Sequence, residues 1–147
     1  MLSKFTGLFK KNKVTLSSDQ HQDKDSLYYL IGGDIVVKAL CKQFYVQMRS
    51  NAEAKHLLDI HPQPMDRAEE RLYMFLSGWL GGPQLYTDKF GHPMLRMRHM
   101  HFNVDAASVE QWLMCMSRAL DMEVEQISHR RIIMKKLTPL AQHMQNC

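Results

Sequence analysis

The stretch from Gly91 to Phe102 combines residue types that together could hold a metal-bearing cofactor. His99 stands between Arg98 and Met100, and Phe102 follows three residues later. An imidazole can bind a transition metal, arginines pair with acidic groups, and methionine and phenylalanine supply apolar contact. This mixture suits a flat, anionic cofactor that carries a metal, and haem is the cofactor that it indicates.

Two other interpretations use the same residues. A zinc or copper site could be formed by imidazole and thioether ligands, namely His92, His99 and His101 with Met97 and Met100. No thiolate or carboxylate stands at a helpful spacing, which weighs against such a non-haem metal site. The other alternative is a helical interaction module without a cofactor, in which the 12 methionines act as adaptable core filler.

Composition predicts one soluble domain. The 147 residues are 45% hydrophobic, enough for one sizeable core. The formal net charge of +4 is spread along the chain, so no basic stripe predicts a nucleic-acid partner. Cys41, Cys115 and Cys147 are widely spaced and predict neither a disulfide framework nor a zinc knuckle. They are interpreted as reduced, intracellular thiols.

The N-terminal residues differ in character from the rest. Residues 1–26 are rich in lysine, serine, aspartate and glutamine, which predicts an extension that is flexible or forms a short helix ahead of a domain at 27–147. Leu2, Phe5 and Phe9 lie near helical spacing, so a helix that docks on a partner or a membrane surface is the alternative. No signal-type segment and no apolar run of about 18 residues is found, so we expect no stable membrane insertion and a cytoplasmic location.

Apolar spacing predicts an all-α chain of five or six helices. Stripes at helical spacing run through 34–50, 66–80 and the segment after Asp105, and a last helix is predicted over 123–145. Asp34 and Asp105 are expected to cap helices, and Asp66 with Glu69 resembles a capping box. Pro139 is expected to kink or split the last helix. His61 is placed on a loop by the prolines that follow it, and 84–95 is predicted to be largely irregular.

Several of these residues together resemble the group II truncated haemoglobins of bacterial type. The resemblance covers roughly residues 27–120 and is carried by Gly32-Gly33, Phe44-Tyr45, Gly81-Gly82-Pro83 with Tyr86, Gly91-His92-Pro93-x-Leu95-Arg96-x-Arg98-His99-x-x-Phe102, and Trp112. It implies a shortened globin, a two-over-two helical sandwich around haem b. The double glycines would then end the short first helix and the helix before the long loop.

The resemblance also implies which residues hold the cofactor. His99 would be the proximal iron ligand, its second ring nitrogen donating to a carbonyl. Residues expected at the haem propionates are Arg98, Arg71, Tyr86 and His92. Residues expected to line the ring faces are Leu72, Phe75, Phe102, Val104 and Met116. Without the resemblance, these apolar residues would be ordinary helix core and the arginines a solvated face.

On the opposite face the resemblance implies a distal pocket formed by Tyr45, His61 and Trp112. As hydrogen-bond donors in an apolar cavity, they would stabilise negative charge on a bound ligand. His61 could instead bind the iron as a sixth ligand. Ala68 stands where larger globins carry a gate histidine, and it cannot donate. Spacing alone would make Tyr45 and Trp112 core residues.

The implied function is binding of diatomic ligands, with O2, NO, CO or peroxide as the small partners. The same pocket is compatible with nitric oxide dioxygenation or with a peroxidase-like reaction. Either reaction would need an external electron donor. A monomer or a weak homodimer is expected, and whether the protein is an enzyme is left open.

Overall fold

The computed structural model describes residues 23–147, so most of the predicted extension at 1–26 lies outside the described residues. The described part is helical and contains no β-strand, which confirms the all-α prediction. A 3-10 turn at Ala52–Ala54 precedes the third α-helix. The α-helices are α1 (Leu27–Leu30), α2 (Asp34–Ser50), α3 (Lys55–Asp59), α4 (Asp66–Trp79), α5 (Leu85–Phe90), α6 (Leu95–His99), α7 (Ala106–Glu123) and α8 (Ile127–His143).

The four long helices form the two layers of the sandwich. Helix α2 packs on both α4 and α7, and α7 packs on α8. The apolar stripe of α2 faces this core, since Val37, Leu40, Cys41, Phe44 and Met48 are all buried, as predicted from their spacing. None of the described helices combines the length and apolar character that a bilayer span requires.

The second pair of glycines, Gly81 and Gly82, allows the end of α4 to pack closely against α1. Gly81 has a φ of +94°, a conformation that a side chain would strain. At Gly82 a Cβ atom would come within 2.4 Å of the Tyr28 ring, so the ring lies flat against the backbone there. The Tyr28 N–H also donates to the Leu80 carbonyl at 2.9 Å. These glycines therefore hold the short first helix against the core.

Helix starts follow the sequence prediction at one position and depart from it at two. Asp34 is predicted to cap α2, but the helix begins at Asp34 itself and the preceding residue is a glycine, which has no side chain to cap it. Asp105 caps α7, because its carboxylate accepts from the Ser108 N–H at 2.9 Å. The predicted capping box at Asp66 is wrong: α4 begins at Asp66 itself, and Met65 precedes it without a side-chain cap. Met65 is buried, so packing fixes the start of this helix, and Asp66 contributes only its favourable charge near the N-terminus.

Three further predictions of the secondary structure differ from the fold. Helix α5 lies within the segment predicted to be irregular. The last helix begins at Ile127, four residues after Glu123, because Val124 is extended and almost fully buried. Pro139 lies inside α8 without splitting it. A proline costs the helix one hydrogen bond, and the packed side chains of Ile133 and Leu137 outweigh that loss.

Candidate functional site

His99 ends the short helix α6 and has a fixed ring orientation. Its Nδ1 lies 2.6 Å from the carbonyl oxygen of Leu95, one turn earlier. A carbonyl only accepts, so Nδ1 carries the proton and donates. In the neutral imidazole Nε2 is then unprotonated and offers its lone pair, the form in which histidine binds metals.

His61, on the loop after α3, is oriented in the same way. Its Nδ1 lies 2.8 Å from the carbonyl oxygen of Leu57, again four residues back. Burial lowers the pKa of His61, the hydrogen bond to Leu57 opposes that shift, and His99 lowers the pKa further. The two histidines, 38 positions apart in the sequence, are thus each oriented by the carbonyl four residues back, and each keeps a free Nε2 lone pair.

Tyr45 and Trp112 border the same space from α2 and α7. The rings of Tyr45 and His61 meet edge to face at 6.0 Å, and Phe44 contacts both Tyr45 and Trp112, each at 5.1 Å between ring centroids. Within residues 23–147 neither the Tyr45 hydroxyl nor the Trp112 indole N–H is hydrogen-bonded. Burial raises the pKa of Tyr45, so its phenol keeps its proton. Both groups are consequently unused donors.

The wall of the site continues from Trp112 to His99. Trp112 packs with Phe102 against a small cluster that contains the buried Val104, and it also packs against the main core. Phe102 lies 6.5 Å from the His99 ring. Contacts thus lead from His61 through Tyr45 and Phe44 to Trp112, and Trp112 shares the small buried cluster with Phe102, which lies beside His99.

The remaining residues predicted to line the cofactor fall into two groups. Leu72 and Phe75 on α4 are half-buried and pack against the main core, as expected for side chains that also border a cavity. Met116 is fully buried, so it belongs to the core of the sandwich in addition to any contact with a cofactor.

The predicted anion-binding residues gather around Tyr86. Arg98 lies over the Tyr86 ring at 5.6 Å, and its Nε donates to the Pro93 carbonyl at 2.8 Å. Tyr86 is buried and meets Phe75 edge to face at 6.4 Å. Arg71 is exposed and lies over the Phe90 ring, which itself contacts Tyr86. The two arginines therefore flank one aromatic edge of the site.

His92, which is also predicted to bind the propionates, does not lie with the residues around Tyr86. It is exposed on the loop between α5 and α6. The structure shows no contact that ties His92 to Tyr86 or Arg98 within residues 23–147.

Some residues of the site were not found by sequence reasoning. Phe90 supports Arg71, and the carbonyls of Leu57 and Leu95 fix the two imidazoles. Asn146, near the C-terminus, bonds to the segment that follows His99. Every residue has a backbone carbonyl, so a sequence does not show which carbonyl will orient a side chain. A histidine in the last turn of a helix is nevertheless a usable indication, because the carbonyl four residues earlier lies within reach of its ring.

The donor set fits haem. Two imidazoles with free Nε2 atoms, half-buried apolar walls and arginines at one edge match a planar anionic group whose iron is bound axially. The rival metal site has less support, because no group of three His, Cys, Asp or Glu side chains in the described part of the chain is close enough to hold a metal ion.

Fold and site together are typical of helical proteins that bind haem through a histidine. Comparison with known proteins leads to the same class. The family described as bacterial-like globin matches residues 26–146. A group 2 truncated hemoglobin of Bacillus subtilis is 33% identical over 114 residues, which is 78% of this chain and 84% of that protein.

Solved structures agree. The group II 2-on-2 hemoglobin of Agrobacterium tumefaciens is 41% identical, with a TM-score of 0.82 over 89% of this chain and 98% of that one. The truncated oxygen-avid haemoglobin of Bacillus subtilis is 33% identical, with a TM-score of 0.74 over 83% of this chain and all of the other. The chain belongs to the bacterial-like globin family, as a group II truncated haemoglobin. Membership of this family implies that it binds haem.

Proposed function

We propose that the chain binds haem b through Nε2 of His99 and holds dioxygen on the opposite face, beside Tyr45 and Trp112. The observation that carries this proposal is the hydrogen bond from His99 Nδ1 to the Leu95 carbonyl, which leaves Nε2 as a lone-pair donor. Haem b, when bound, supplies a ferrous iron atom that takes up diatomic molecules.

The proximal side orients the cofactor by charge and packing. Arg98 uses Nε on the Pro93 carbonyl and Nη2 on the Phe90 carbonyl, so its guanidinium is held in place with further N–H groups left over. Arg71 is a second cation at the same aromatic edge. In this proposal both arginines meet the carboxylates of the cofactor with Tyr86 as a further partner, while Leu72, Phe75, Phe102, Val104 and Met116 contact its faces.

The distal side stabilises a polar ligand with two donors. The Tyr45 hydroxyl and the Trp112 indole N–H are free to donate, and the apolar surroundings strengthen both interactions. His61 has a different role in this proposal. Its Nδ1 proton is already given to Leu57, so the neutral ring has only a lone pair to offer at Nε2. His61 therefore acts as an acceptor or as a sixth iron ligand.

Slow release of dioxygen follows from this arrangement. The solved haemoglobin of Bacillus subtilis, which is similar to this chain, is described as oxygen-avid. Its likeness to this chain supports the same property here. Two donors in an apolar pocket are the physical reason to expect it.

Stopped-flow measurement of oxygen release tests the proposal. Trp112→Phe and Tyr45→Phe each remove one donor and keep an aromatic ring, so each should speed release by about tenfold, the worth of one hydrogen bond. Trp79→Phe is the matched control, because Trp79 packs against the core from α4. Release rates equal to those of the unsubstituted protein in both distal variants would reject the role of these donors.

Reactions of the held ligand are a second candidate function. The donors of Tyr45 and Trp112 can retain dioxygen while nitric oxide attacks it, or polarise a peroxide bond. Turnover would need an external electron donor. Consumption of nitric oxide by the oxygenated protein, measured with an electrode over repeated additions in the presence of a reductant, should continue beyond one equivalent. A single stoichiometric reaction would favour ligand binding alone.

A further inference from the structure

The C-terminal residues return to the segment that carries His99. After α8 ends at His143, the Asn146 N–H donates to the Val104 carbonyl at 2.9 Å, and the Val104 N–H donates to Asn146 Oδ1 at 3.0 Å. Asn146 Nδ2 donates to the Phe102 carbonyl at 2.9 Å and to the His99 carbonyl at 3.2 Å. One asparagine thus contacts the turn after α6 through its side-chain amide nitrogen, its side-chain oxygen and its backbone.

The orientation of the Asn146 amide is determined by its partners. Nδ2 faces two carbonyls, which only accept, and Oδ1 faces a backbone N–H, which only donates. The flipped amide would place an oxygen against two carbonyl oxygens. Both N–H groups and the oxygen of the side chain are therefore used, and all are used on residues 99–104.

Arg96 makes a second connection between the same two segments. Its Nη1 donates to the carbonyls of His143 and Gln145 at 2.6 and 2.7 Å. These carbonyls lie at the C-terminal end of α8, where a cation is favoured. Arg96 lies in the first turn of α6, and Asn146 contacts His99 and the residues that follow α6. The C-terminal residues 143–146, called the C-terminal tail below, therefore contact α6 at both ends.

Helix α6 depends on such contacts because its own packing is weak. It has only five residues, and none of them is buried. It starts after Met94, whose backbone is left-handed with a φ of 41°. The His99 ring is fixed relative to α6 by the Leu95 carbonyl, so whatever fixes α6 also fixes Nε2 of His99 in the protein.

We propose that Asn146, together with Arg96, is a positioning residue for the imidazole of His99. By fixing α6, the two residues determine how far Nε2 of His99 projects into the haem site and how the His99 ring is tilted there. This inference rests on the proposed role of His99 as the proximal ligand. The C-terminal tail is then part of the proximal side of the haem site, although it is far from His99 in the sequence.

The test is the iron–histidine stretching band of the ferrous, ligand-free, haem-bound full chain, recorded by resonance Raman. Asn146→Asp keeps the size and the acceptor for the Val104 N–H but places oxygen against the carbonyls of His99 and Phe102. We expect the band to shift and haem transfer to excess apomyoglobin to become about tenfold faster, since the two lost hydrogen bonds act on the haem only through α6 and only part of their free energy reaches it. Arg96→Gln should shift the band as well, through the other end of α6.

Gln145→Ala is the matched control. Its side chain bonds only to the Cys147 carbonyl among the described residues, and its own carbonyl remains available to Arg96. The control should keep the band and the haem-transfer rate of the unsubstituted protein. A lowered melting temperature in Asn146→Asp and Arg96→Gln with an unmoved band would overturn the inference, because it would show a structural role only.

Failure of the proposed function looks different. If the band is absent both from the unsubstituted protein and from His61→Ala, in which no second histidine can bind the iron, or if the band persists in His99→Ala, the assignment of His99 is wrong and the inference falls with it. If the band depends on His99 but is identical in Asn146→Asp, Arg96→Gln and the unsubstituted protein, the inference alone is wrong.

Discussion

At the scale of single residues, the positions of two protons decide the chemistry of the site. His61 and His99 each donate Nδ1–H to the carbonyl four residues earlier, so each keeps a lone pair on Nε2. The sequence indicates both histidines but not their protons, because a backbone carbonyl chooses the tautomer. This geometry alters the expected role of His61 from a donor to a dioxygen ligand into an acceptor or an iron ligand.

A ferric absorption spectrum recorded across pH tests this role of His61. The pKa of His61 is lowered, chiefly by burial, so the ring remains neutral at pH 7 and is protonated only in acid, below its usual value of about 6.5. We predict a low-spin, six-coordinate fraction at neutral pH that is lost on acidification, when a proton takes the Nε2 lone pair.

His61→Ala should abolish that low-spin fraction at every pH. His101→Ala is the control, since His101 is exposed and its ring lies beside Phe102. A low-spin signature that is unchanged in His61→Ala would exclude coordination by His61 and leave it as an acceptor.

Sequence reasoning at this scale succeeds where residue type limits chemistry. A histidine that follows two arginines suggests haem before any fold is known, and the resemblance then supplies Tyr45 and Trp112. Asn146 escapes such reasoning. An asparagine by itself carries no signal, and the role of Asn146 comes from three backbone groups of residues 99–104 that the fold brings within 3.2 Å of its side chain.

At the scale of helices, long periodic elements are predictable and short ones are not. Helices α2, α4 and α7 bury regular apolar stripes, so their spacing reveals them. Helices α5 and α6 have six and five residues, too few for a periodic signal, and they are stabilised by neighbours. Helix α6 carries His99, so the element that matters most for haem is among the hardest to predict.

The cap of α7 gives a prediction at this scale. Asp105 accepts hydrogen bonds from Ser108 and lies 2.9 Å from His56. Bonds to Ser108, and then the bond to His56, lower the pKa of Asp105 to about 2 from an ordinary value of 3.8. A carboxylate with a lowered pKa stabilises the fold above its unfolded pKa, and this contribution is lost as pH falls through the folded value.

Asp105→Asn should therefore lower the melting temperature by a few degrees at neutral pH. The difference from the unsubstituted protein should hold down to about pH 5 and shrink towards pH 2, as measured by circular dichroism. Asp59→Asn is the control, because Asp59, the last residue of α3, pairs only with the exposed Lys55 among residues 23–147. A difference that stays constant between pH 5 and pH 3 would contradict the assigned role of the Asp105 charge.

At the scale of the whole molecule, the sequence predicts the architecture correctly because its glycines and aromatic residues occupy positions where the fold requires them. The double glycine after α4 admits the Tyr28 ring, and Trp112 joins the main core to the small cluster beside Phe102. What the sequence cannot supply is the orientation of the His61 and His99 rings, since this depends on the backbone carbonyls of Leu57 and Leu95.

The division of the chain into an extension and a domain gives another prediction. The family match starts at residue 26, and the core described here is built from Leu27 onwards. A chain that begins at Asp23 should bind haem with unchanged affinity and melt at the same temperature as the full chain. Calorimetry and haem titration provide the comparison. A large loss in either would show that residues 1–22 belong to the domain.

Titration of the full chain with haem, followed by absorption, tests the central claim most directly. We predict a Soret band that saturates at one haem per chain. In His99→Ala the haem should be lost readily, or should show the spectrum of an iron without its histidine ligand. Absence of a Soret band in the unsubstituted protein, or identical spectra and haem affinity in His99→Ala, would contradict the account.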